Sequence, residues 1–314
     1  MTAVLDPFVL ERAPGPVVGL HPALVRLRDA FNGTLDVLGR IPDERLTSLW
    51  AWDGNDINVR YAFYRMLETL ESGAAQVALA MRGQESSEAR EAVGATSAAR
   101  WDLHGVLAAL TDADLDADPG GGEWTIRQTM AHIIGGQRGY AWGSAYWISV
   151  RDEPKPEGPR RAPDHLFASM PEDEEEATGT LAEVRQKLDD IVDAASSRFA
   201  TLSTDEMDSA GGWYGFPVTV SFRMWRWPSH IEEHTVQVEK TLDMLSHRAT
   251  EVERLVRLNA RALGRLEALV FGRAPEQLDA AGVGATLDRL AGEIQQMAEP
   301  VKAAADAGVP GPPD

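Results

Sequence analysis

Cysteine is missing from all 314 residues. That excludes disulfides, cysteine-ligated zinc, iron–sulfur clusters and a protein thiol as nucleophile, so any thiol chemistry must use a thiol carried by a ligand. Lysine is scarce too: Lys155, Lys187, Lys240 and Lys302 stand among 30 basic residues, a usage that with abundant Ala and Gly fits a high-GC bacterial genome. Positive charge as a whole is in deficit. Against 49 acidic residues it leaves a net charge of −19 and a pI near 4.8, which argues against nucleic-acid backbones and anionic membranes as partners. Long apolar runs are lacking as well. Nothing approaches the roughly 20 residues of a membrane span, and the first residues show neither a basic nor an apolar leader region, so a cytoplasmic protein is expected.

What the chain does have is helical periodicity. A hydrophobic content of 44% over this length allows one large or two modest domains with real cores. Apolar residues recur at spacings of three and four over residues 21–38, 57–81, 96–110, 126–150, 181–202, 220–245, 250–271 and 284–304, and the expected fold class is all-α. Thr125-x-x-Gln128 and Thr180-x-x-Glu183 are capping boxes that open two of these helices. Pro228 predicts a kink or restart in the 220–245 segment, two residues before His230. The acidic run from Glu172 to Glu176 reads as a solvated loop leading into a helix N-terminus.

The expected division is an N-terminal tail (1–20), a helical pair (21–83), a four-helix bundle with one long crossover (94–248), a second helical pair (249–306) and a disordered tail (307–314). The first pair resembles the start of the central bundle. Ile41-Pro-Asp-Glu-Arg-Leu, a loop with Trp50 and Trp52, and a long helix parallel Leu110-Thr-Asp-Ala-Asp-Leu, Trp124 and a long helix. The two outer pairs are therefore candidates for a second, degenerate bundle; otherwise they simply flank the first. A second bundle is expected to lack a metal, because residues 57–81 contain no histidine.

Three histidines carry the chemistry. His230 and His234 are four apart, so on a helix both imidazoles leave one face, about 40° and 6 Å apart. That face continues through Val238, Thr241 and Leu245 and so points inward. Inward neutral imidazoles without a shared ligand leave nitrogens unsatisfied. His132, on an earlier helix with Gly135, Gly136, Gly139 and Gly143, supplies a third nitrogen, and these glycines imply close approach of a neighbouring helix or a ligand. Three imidazoles with an open position describe a metal site made for chemistry. His104 ranks as an outer candidate, and His21, His165 and His247 carry no functional weight.

Residues 94–248 resemble the DinB-like superfamily of four-helix bundles. The resemblance rests on Gly122-Glu-Trp124-Thr-Ile-Arg-Gln-Thr-Met-Ala-His132 and on His230-Ile-Glu-Glu-His234-Thr-Val-Gln. It implies His132, His230 and His234 as ligands of a divalent metal, zinc or nickel, with water in the remaining positions. It also implies relatives that are thiol-dependent transferases, mycothiol-dependent maleylpyruvate isomerases or the amino-terminal domain of ergothioneine-type sulfoxide synthases. Two departures stand out. Val236 replaces the glutamate that the sulfoxide-synthase branch carries, and His230 replaces the glutamate frequent in the isomerase branch.

The leading expectation is a metal-dependent transferase or isomerase that uses a low-molecular-weight thiol such as mycothiol or bacillithiol. Trp124, Trp142, Trp147, Trp225 and Trp227 would wall its pocket, and Arg127, Arg138 or Arg223 would anchor a substrate carboxylate. A metal-dependent hydrolase with Glu123, Glu233 or His104 as base stays open, as does a non-catalytic binding or stress-response protein, with a possible homodimer.

Overall fold

The computed structural model describes residues 18–312, apart from 155 and 169. The expected N-terminal tail lies outside the described residues except for its last three. The periodic segments are helices, and the fold is all-α with two small hairpins.

The central group begins with α3 (Glu88–Leu107), capped by Ser87, so the polar stretch after Gly83 holds a helix start. It continues through the single turn α4 (Asp112–Leu115) to α5 (Ile126–Ser149), crosses over through the single turn α6 (Asp173–Glu176), and returns as α7 (Leu181–Phe199). A further turn, α8 (Thr204–Met207), and the hairpin β3 (Ala210–Trp213) with β4 (Phe216–Thr219) lead into α9 (Val220–Met244). Both capping boxes form: Gln128 and Glu183 each accept from the backbone N–H of the threonine three residues before. Helix α9 runs unbroken across Pro228, and no restart occurs there. Proline costs one intrahelical hydrogen bond, and packing of the buried Trp227, Pro228 and Ile231 holds the helix together across it.

The outer group comprises α1 (Pro22–Leu38), the hairpin β1 (Leu49–Trp52) with β2 (Asn55–Asn58), α2 (Arg60–Ala80), α10 (Glu251–Val270), the short α11 (Pro275–Ala280), α12 (Val283–Gln295) and α13 (Ala298–Ala307). Helix α1 packs along α12, and α2 packs along both α10 and α12, while α10 also packs closely on α3 and joins the two groups. In the central group α7 packs on α5, and α9 on α3 and α5. The pairings correspond: α10 and α12 stand as α3 and α5 do, α1 and α2 as α7 and α9.

This corrects the expected parallel between the first helical pair and the start of the central bundle. The pair matches its second half. Leu49↔Asn58 through Trp52↔Asn55 has the same register as Ala210↔Thr219 through Trp213↔Phe216. Both turns place two successive residues at positive φ, Asp53–Gly54 at 49° and 76° and Tyr214–Gly215 at 45° and 86°. That is the twist two-residue hairpin turns favour. Nothing similar precedes α5, where three consecutive glycines, Gly120 to Gly122, take positive φ.

Where the two groups meet, a buried ion network crosses the interface. Glu267 on α10 is fully buried and accepts from Arg28 of α1 at 2.7 and 2.8 Å, from Trp101 Nε1 at 3.1 Å, and from Arg100 and Ser97 of α3. Asp193 of α7 pairs with Arg28 and Arg100 at 2.6 and 2.7 Å. Residues 309–311, expected as part of a disordered tail, run beside β1: Leu49 N–H donates to Val309 O and Gly311 N–H to Thr47 O. Residues 313 and 314 lie outside the described residues.

Candidate metal centre

The packing of α5 on α9 brings His132, His230 and His234 together. Nε2 of His132 and Nε2 of His230 are 3.2 Å apart. Ring centroids lie 5.0 Å apart for His132 and His230, 4.6 Å for His132 and His234, and 4.4 Å for the helical pair. One nitrogen from each ring falls within 4.8 Å of the others. The backbone explains the closeness: a Cβ built on Gly136 would sit 2.5 Å from His230 Cε1. A side chain there would expel the ring, so this glycine is set by a neighbouring imidazole. Gly143, by contrast, has nothing within 4 Å and opens on a groove.

The donor set fits a divalent cation. Two imidazole nitrogens bound to one zinc at about 2.0–2.1 Å are separated by about 3.3 Å in tetrahedral geometry, close to the separation found here. Nδ1 of His234 faces the acceptor Gln237 Oε1 at 2.7 Å, which favours the Nδ1–H tautomer and leaves the Nε2 lone pair free to meet a cation. His230 is only 3% exposed, and its Nδ1 has no partner. Burial first, then the neighbouring His234 and His132, push the His230 imidazole down to about 3. Burial and His234 likewise lower His132. Rings held neutral offer lone pairs to a cation without first losing protons.

Around the triad, Trp124 lies 5.2 Å from His132 and Tyr140 lies 5.2 Å from His230, both between ring centroids. A cavity of about 250 Å³ beside His132 is lined by Trp124, Arg127, Gln128, Ala131, Asp173 and Glu174. A larger groove of about 760 Å³ runs along the Gly136, Gly139 and Gly143 face of α5 and reaches Trp147 and Arg223.

Not every candidate joins the site. His104 is buried on α3, where it meets Asp189 at 2.8 Å and Arg185 at 3.3 Å, apart from the triad. Glu123 pairs with Lys240 and Glu233 with Arg226. Arg127 holds Asp116, and Arg138 clasps Glu176 through two hydrogen bonds of 2.6 and 3.0 Å. Of the tryptophans, Trp147 lines the groove and Trp124 flanks His132, whereas Trp227 packs on Phe199 and Trp225 donates to Glu88.

The acidic run is exposed over Glu172 to Glu175 and enters a single helical turn, as expected of it, and only its last residue departs. Glu176 is 2% exposed because Arg138 neutralises it, and Asp173 faces Gly135 and His132. No sequence signal marks an ion pair between residues 38 apart in the chain. Gln237 was accessible to reasoning, since it lies one helical turn beyond His234.

Counted from the matching hairpins, Thr69 and Gly73 of α2 stand where His230 and His234 stand on α9. Among the described residues, the triad is the one cluster suited to hold a metal. Residues 95–238, which include all three histidines, match the model of the DinB superfamily. No curated protein and no solved structure matches the chain. Residues 95–238, which are 144 of the 314, are thus a DinB-like segment.

Proposed function

We propose that the protein is a divalent-metal-dependent transferase or isomerase that works on a low-molecular-weight thiol, with zinc or nickel on His132, His230 and His234. The observation that carries the reading is the convergence of three imidazole nitrogens beside an open groove in a chain without cysteine. A bound divalent cation lowers the pKa of a thiol that reaches it. The protein's own part is to hold the rings and shape the space. Gln237 orients His234, Gly136 admits His230, and Trp124 and Tyr140 flank the rings with apolar surface. Lacking thiols of its own, the chain cannot be alkylated by an electrophile at cysteine.

A hydrolase would need a base near the cation. His104, Glu123 and Glu233 are each engaged elsewhere, by Asp189, Lys240 and Arg226, which weighs against that reading. A purely binding role would leave the extra helices to supply a partner surface, and here they pack on one another and on α3. The test is conjugation: zinc- or nickel-loaded protein, mycothiol or bacillithiol, and an electrophile, followed by mass spectrometry of the product. Metal-dependent adduct or isomer formation supports the reading, and none with either thiol across an electrophile panel ends it.

A further inference from the structure

The groove beside the triad is cationic although the protein is strongly acidic. Among the described residues no carboxylate lines it, whereas Arg223 and Arg161 do. Arg223 is the unusual one. Its guanidinium carbon lies 5.0 Å from the ring centroid of Tyr140 and 5.0 Å from that of Trp147, between two aromatic faces. Its buried Nε has no hydrogen-bond partner, and no carboxylate comes within ion-pairing distance of it among the described residues. The indole Nε1 of Trp147, on the same groove, is also buried and unpartnered. Burial lowers the guanidinium from its ordinary value, yet an arginine stays charged at any physiological pH. The fold therefore bears a half-buried positive charge that it does not neutralise itself, an arrangement that architecture alone does not call for.

The internal repeat separates architecture from site. Arg226 stacks over Trp213 at 5.8 Å, and at the matching position of the outer group Arg65 stacks over Trp52 at 5.1 Å. That arginine belongs to the shared hairpin-and-helix unit. The same count places Ala62 opposite Arg223, so this cation occurs in the half that holds the histidines and not in the half that lacks them. Arg127 and Arg138, the other cations near the triad, are already paired with Asp116 and Glu176. Along α9, Arg223 precedes His230 by seven residues, which puts the two on one face about 10 Å apart along the axis.

We infer that Arg223 is a substrate-anchoring residue and that the groove takes a small organic acid, whose carboxylate lies on the Arg223 guanidinium while its other end reaches the histidine triad. The aromatic pair fixes the plane of the fork, which suits a carboxylate held by two parallel hydrogen bonds. Both groups flank the Tyr140 ring, the guanidinium carbon 5.0 Å and the His230 ring 5.2 Å from its centroid, so they lie no more than about 10 Å apart. The inference rests on the proposed function only for what happens at the triad end; the anion site itself needs no metal.

Calorimetric titration with maleate, succinate and glutarate, and with their dimethyl esters, tests it on the full chain with and without zinc. The acids are expected to bind the metal-free protein and the esters not to. Arg223→Met should weaken acid binding about tenfold or more, the loss of a charge-assisted pair, while Arg223→Lys restores part of it. Zinc stoichiometry, measured on the same variants, should not change. Equal affinity of wild type and Arg223→Met, or no binding of any acid, overturns the inference. Failure of the metal reading shows separately, as missing zinc uptake by a protein that still binds acids.

Discussion

Replacing Gly136 by alanine isolates the contact that seats His230. The added methyl would lie 2.5 Å from His230 Cε1 and 3.2 and 3.3 Å from its two nitrogens. Carbon atoms settle at about 3.5–4.0 Å, so ring and helix must part by about 1 Å. A ligand nitrogen tolerates only about 0.2 Å of displacement from a cation. The zinc affinity of Gly136→Ala, from competition with a chromophoric chelator, is therefore expected to fall at least tenfold, the lower end of what disturbing a ligand's supports costs. Stability should change by between nothing and a loss of about 2 kcal/mol, because alanine gains about 1 kcal/mol in a helix interior while overpacking costs about 1–3 kcal/mol. Gly143→Ala supplies the control. Nothing lies within 4 Å of its Cβ, so it should raise stability by up to about 1 kcal/mol and leave zinc binding unchanged. If Gly136→Ala binds zinc as tightly as the wild type, His230 is not held where the account needs it.

The ion network between the helical groups gives two further expectations. Glu267→Gln leaves Arg28 and Arg100 short of a buried counter-charge and should cost about 3–5 kcal/mol, read as a lower urea midpoint. Acid should act through the same carboxylate: burial alone would raise Glu267, but Arg28 and Arg100 outweigh it and hold the group down to about 2, from an ordinary 4.5. A depressed carboxylate stabilises the fold above its unfolded value and loses that contribution on protonation. Urea stability is thus expected to fall as pH drops from about 4.5 towards 2, and to fall less in Glu267→Gln. Equal acid slopes in the two proteins would remove the network from the explanation.

Helices and the histidine cluster were legible in the sequence for one reason: both follow a period. The stripes of α5, α7 and α9, the two capping boxes and the four-residue spacing of His230 and His234 are local patterns that tertiary packing reinforces. The hairpins were less visible because each strand has only four residues, too few for alternation to show. Asp53–Gly54 was the available signal, a pair suited to positive φ in succession, whereas Tyr214 takes that conformation although bulky residues seldom do. Partner choice was beyond reach. Which of Arg127, Arg138 and Arg223 stays unpaired depends on carboxylates beyond one helical turn, Asp116 at 11 residues and Glu176 at 38, and no local pattern marks either pair. The permuted order of the outer helices was hidden for the same reason, since it is a relation between the two ends of the sequence.

Metal content decides the central claim most directly. Protein prepared without an affinity tag, reconstituted with zinc or nickel and desalted, is expected to retain one ion per chain by mass spectrometry of the metals. Alanine in place of His132, His230 and His234 together should retain none while keeping its helical circular dichroism. A wild type that holds no ion after reconstitution, or a triple variant that holds as much, would contradict the account.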